Sequence, residues 1–99
     1  MLRINIDDAL NSMHQGEREF KFIVEPNMID KARMLLTGKV HKGVELFGIG
    51  PVEIIRALGF LMRYSKEINT AVSLQYRVFL KKEGKYFGSG NWYLEFFKK

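Results

Sequence analysis

The sequence predicts an α/β two-layer sandwich in the order strand, helix, strand, helix, strand, strand. Two helices cover one face of a four-stranded mixed sheet, and the chain closes in a long C-terminal β-hairpin. Three observations carry this. Glu19–Val24 reads EFKFIV, with Phe20, Phe22 and Val24 alternating against Glu19, Lys21 and Ile23. Val44–Phe47 is a short apolar run that enters Gly48-Ile49-Gly50 and opens directly onto an amphipathic helix. Ala71–Lys82 alternates without a break, and Tyr86–Phe97 reads as its returning partner.

Taken in order, residues 1–18 form an N-terminal extension that looks peripheral. Asp7–His14 predicts a short helix with Ala9, Leu10 and Met13 on one side, ended by Gly16. Residues 19–99 form the main domain. Its first strand stops at Pro26, because proline cannot donate to a sheet ladder. Asn27 caps a helix running to about Thr37, with Met28, Ala32, Leu35 and Leu36 on one face and Gly38 as its stop.

The second helix starts at Pro51, whose missing N–H is no loss in a first turn. Ile54, Leu58, Leu61 and Met62 predict its buried stripe, with Arg56, Arg63 and Lys66 on another face and Glu53 and Glu67 spaced to pair with them. In the third strand Val72, Leu74, Tyr76, Val78 and Leu80 face the core, and Ser73, Gln75, Arg77, Phe79 and Lys81 face away. A two-residue turn at Glu83-Gly84 pairs Leu80 with Phe87 and puts Trp92, Leu94 and Phe96 on the polar face. One extra residue at Gly88–Gly90 places Trp92 opposite Tyr76 and Leu94 opposite Leu74. The sequence therefore predicts a bulge or irregular tip there.

Ninety-nine residues with 46% hydrophobic content suit one domain with one core. The chain has no cysteine, which excludes disulfides and thiolate metal sites. No run approaches the ~18 apolar residues of a membrane span, and MLRINIDDALNSM carries acids where a signal peptide needs an apolar core. A soluble, cytoplasmic protein without a membrane partner is the expectation.

The net charge of +5 is unevenly placed. Residues 1–50 hold seven Lys/Arg and seven Asp/Glu, whereas residues 51–99 hold nine against four. A one-sided positive field attracts polyanions by releasing their counterions.

Gly48-Ile49-Gly50 can offer backbone N–H groups to a phosphate at a helix N-terminus, or can simply let helix pack on strand. It lacks the Gly-Lys-Ser/Thr of a P-loop and the third glycine of a dinucleotide fingerprint. Lys81, Lys82, Lys85 and Tyr86 cluster at the hairpin tip above Arg77, where basic side chains can follow a groove or merely solvate a turn. Phe79, Tyr93 and Phe97 fall on the face away from the core. Aromatics there can stack bases, and the reading favours a dimer interface. His14 and His41 have no ligand partners at metal-binding spacing, and no serine sits in a nucleophile motif. No catalytic residue, metal or cofactor is expected.

The element order, with Val44-Glu45-Leu46-Phe47-Gly48-Ile49-Gly50 followed by Ile54-Ile55-Arg56-Ala57-Leu58 and the closing Tyr93–Lys99, resembles the Alba superfamily of nucleic-acid-binding proteins. The resemblance implies a homodimer that grips DNA or RNA along its phosphate backbone with little base specificity. Gly48, Gly50 and Arg56 would lie near the dimer centre, with Arg77, Lys81, Lys82, Lys85 and Tyr86 on the arm. One departure matters: the family's paired-lysine loop corresponds to Val24-Glu25-Pro26-Asn27-Met28, which has no lysine and one acid. The grip then falls to the glycine turn and the hairpin. The alternative expectation is a small protein-interaction or regulatory module, of the kind a phage inhibitor represents, that uses the aromatic sheet face.

Overall fold

A computed structural model describes residues 2–3, 5–24, 43–50, 53–83 and 91–99. Several expectations lie outside the described residues: the helix at 27–37, the loop at 25–28, Pro51, the contacts Lys85 and Tyr86, and the tip at Gly88–Gly90. The described elements are β1 (Leu2–Arg3), α1 (Ile6–His14), β2 (Glu19–Val24), β3 (Val44–Phe47), α2 (Ile54–Arg63), α3 (Ser65–Ser73), β4 (Tyr76–Glu83) and β5 (Asn91–Lys98).

Strands β2 to β5 form the expected four-stranded mixed sheet, and two-residue β1 extends it at one edge to give the order β1-β2-β5-β4-β3. Strand β5 runs antiparallel to both β2 and β4, while β3 runs parallel to β4. The predicted alternation in β2 is realised: Phe20, Phe22 and Val24 are buried, and Glu19 and Ile23 are exposed.

The hairpin keeps the predicted inside and outside faces with a different register. Trp92 lies opposite Lys82 rather than Tyr76, and Leu94 opposite Leu80 rather than Leu74. The reason is where the strands begin and end. Strand β5 is described from Asn91 onward, and β4 starts at Tyr76, because Ala71–Ser73 completes α3. Gln75, at φ 69°, breaks the chain between helix and strand. Local alternation at Ala71–Leu74 thus loses to a longer helical repeat. Ala57, Leu61, Tyr64, Ile68 and Ala71 recur every three or four residues across α2 and α3, and all are buried. The predicted stripe is rotated accordingly: Leu58 and Leu61 are buried, but Ile54 is 41% exposed.

The described residues of the N-terminal segment are part of the packed structure rather than peripheral. Leu2 and Arg3 pair in register with Phe20 and Lys21, and Ala9 and Met13 of α1 lie in the core. The Tyr76 hydroxyl donates to the Glu17 carbonyl and ties the end of this segment to β4.

Aromatics dominate the core between the sheet and the helices. Phe96 stacks on Phe20 at 4.8 Å and on Phe22 at 5.5 Å, while Phe22 meets Tyr64 edge-on at 5.5 Å. Full burial of each such side chain stabilises the fold by roughly 1.5–3 kcal/mol. No helix among the described residues is long and apolar enough to cross a membrane.

Candidate nucleic-acid interface

The glycine turn sits where the sequence places it, between β3 and α2. Gly48 has φ +71°, and a Cβ built there would lie 3.3 Å from the Lys82 carbonyl oxygen, so this position needs glycine twice over. Gly50 is exposed with open space around it, and its carbonyl accepts the Glu53 N–H at 3.0 Å. Arg56 follows in the first turn of α2 and is exposed, as are Arg63 and Lys66 farther along the helical layer.

Glu53, spaced to pair along its own helix, reaches across to the sheet. Its carboxylate accepts a hydrogen bond from Lys82 on β4, and the two side chains are largely buried. The Lys82 ammonium also lies 5.9 Å from the Trp92 ring centre. Lys81, on the opposite face of β4, forms an ion pair with Glu95 at 2.7 Å and lies 5.3 Å and 5.6 Å from the rings of Phe47 and Phe79. Two of the three lysines expected as arm contacts, Lys81 and Lys82, therefore have carboxylate partners inside the fold. Sequence spacing missed these pairs because each joins distant segments, residue 53 with 82 and residue 81 with 95.

Phe79, Tyr93 and Phe97 do occupy the sheet face away from the helices. Phe79 and Phe97 are half-buried neighbours, packed edge to face at 5.6 Å and 77°. Tyr93 is 7% exposed, with the Lys21 ammonium 4.8 Å from its ring centre. Arg77 is exposed and stands opposite Phe97 in the β4–β5 register. Two apolar side chains not singled out from the sequence join this face, Ile23 at 45% exposure and Phe47 at 64%. The alternation in β2 and β3 carries their signal, since each occupies the solvent-side position of its strand.

A cavity of about 750 Å³ opens on this face, lined by Arg77, Phe79, Lys81, Phe97, Lys98 and Lys99. Among the described residues no group of three or more His, Asp or Glu side chains is placed to hold a metal ion. Compared with protein-family models, with curated proteins and with solved structures, the chain matches none.

Proposed function

We propose that the protein binds nucleic acid along its phosphate backbone, largely without regard to sequence, and does so as a homodimer. The observation that carries the reading is the diversion of Glu53 to Lys82. It leaves Arg56 exposed in the first turn of α2, a few residues past a turn whose second glycine is bare. A guanidinium and unobstructed backbone at a helix start are suited to an anionic oxygen, where the helix dipole adds to the attraction. The excess positive charge of residues 51–99 and the resemblance of the glycine turn to the Alba pattern support the same conclusion. DNA and RNA fit this chemistry equally.

In this reading Lys81 and Lys82 shape the surface and fix its elements, while Arg56, Arg63 and Lys66 meet phosphate. The test is an anisotropy titration of labelled duplex and single strands with the wild type and with Arg56→Glu. The variant is expected to lose about ten-fold or more in affinity and to show a shallower salt dependence. Equal affinities for the two proteins would count against the reading.

A second reading, a protein-interaction module, is favoured by the exposure of Phe47 and Ile23 beside Phe79 and Phe97. Such a module loses its partner on Phe79→Ala or Phe47→Ala and tolerates Arg56→Glu.

A further inference from the structure

The cavity on the open sheet face has a lining of unusual chemistry. Among the described residues that line it, Arg77, Lys81, Lys98 and Lys99 are cationic, the other two are phenylalanines, and none is acidic. Lys81 is balanced by Glu95, and Lys98 lies 5.7 Å from the Tyr76 ring centre. Among the described residues no ion pair engages the Arg77 and Lys99 end, next to the perpendicular Phe79–Phe97 pair. Two further acids bracket the rings without lining the cavity: Glu45 is the register partner of Phe79, and Glu19 that of Phe97. Glu45 shares a neighbouring pocket with Arg77, Phe79 and Lys99, so an anion at that end meets two cations and one acid.

We infer that this cavity takes one unpaired nucleotide, its base against the Phe79–Phe97 pair and its phosphate on Arg77 and Lys99. The inference rests on the proposed nucleic-acid binding and adds a preference for single strands. Three features select this occupant. The charge of the lining demands an anion. The perpendicular rings offer one plane for a base to stack on while the other abuts its edge. A volume of about 750 Å³ lies within the ordinary range of small-molecule sites and admits a nucleotide. A base paired within a duplex cannot enter, because its face is already stacked.

The experiment is an anisotropy titration of a labelled ten-nucleotide single strand and of a blunt duplex of the same sequence, with unlabelled adenosine monophosphate as competitor. The wild type is expected to bind the single strand about ten-fold tighter than the duplex, in line with base–aromatic stacking. Phe97→Leu, which keeps apolar packing and removes the ring, is expected to abolish that preference. Arg77→Glu is expected to weaken the single strand more than the duplex. Competition by adenosine monophosphate supports the site and places free nucleotides among its ligands.

Equal binding of strand and duplex by the wild type, or a preference that survives Phe97→Leu, overturns the inference while leaving backbone binding intact. A Phe97→Leu variant that turns a dimer into a monomer in sedimentation, with the strand preference unchanged, assigns the rings to self-association and also overturns it. Absence of binding to either nucleic acid at low salt defeats the underlying functional reading instead.

Discussion

Lys82 and Glu53 clamp the start of α2 to the far end of β4. Their side chains are only 7% and 15% exposed, and the Lys82 carbonyl presses on the glycine turn from the other side, 3.3 Å from where a Gly48 side chain would begin. One residue of the hairpin thus fixes both the turn and the helix that follows. Position, more than solvated charge, is what Lys82 contributes.

Removing one partner of a buried pair leaves the other uncompensated. Glu53→Ala is expected to cost about 3 kcal/mol in urea unfolding, whereas Glu53→Ala combined with Lys82→Met should recover most of that loss. A double variant as unstable as the single one would show that the pair is not the clamp.

Gly48 and Gly50 are expected to respond differently to alanine. Gly48→Ala forces a positive φ on a side chain that also crowds the Lys82 carbonyl, at an expected cost of roughly 1–3 kcal/mol. Gly50→Ala meets nothing within 4 Å, and its unfolding midpoint should stay within about 0.5 kcal/mol of wild type. If nucleic acid approaches the turn, Gly50→Ala should weaken binding without weakening the fold.

The sequence reached the sheet through its alternation. Phe20, Phe22 and Val24 on β2, and Val78, Leu80, Leu94 and Phe96 on the hairpin, face the core as their spacing requires. It failed where two periodicities compete. Val72 and Leu74 alternate like a strand, yet Ile68 and Ala71 continue the buried repeat of α2, and burial at helical spacing wins. At the site, alternation placed Phe79, Tyr93 and Phe97 on one face. The pairs Lys82–Glu53 and Lys81–Glu95 were not legible, because charges that meet across a sheet or between layers leave no mark in local spacing.

Tyr76 links the N-terminal segment to the sheet through the Glu17 carbonyl. Burial, with a smaller contribution from the Glu17 charge, raises its phenol above the usual 10.0. The folded state therefore keeps this proton at pH values where the unfolded chain has lost it. Its stabilising contribution is complete below pH 10.0 and is lost as pH rises through the folded value. Ultraviolet titration should show Tyr76 ionising late, together with a fall in thermal stability at alkaline pH. Tyr76→Phe should remove the late ionisation and cost about 1 kcal/mol near neutrality. A variant that keeps the late ionisation would show that another tyrosine causes it.

Phe96 is fully buried between Phe20 and Phe22 at the centre of the sheet. Phe96→Ala is expected to cost about 4 kcal/mol, the most of any single change considered, as measured by denaturant unfolding. A cost below about 1 kcal/mol would contradict the packing described.

In the proposed function an exposed guanidinium near an unobstructed glycine turn, on a chain of net charge +5, holds a phosphate backbone. The most direct test of this is the dissociation constant of the wild type for a labelled duplex and a labelled single strand, measured at about 50 mM and 200 mM salt. Binding is expected at low salt, weakening by at least ten-fold at the higher concentration, and weaker still in Arg56→Glu. Failure to bind either nucleic acid at low salt, or binding indifferent to salt, would contradict the proposed function.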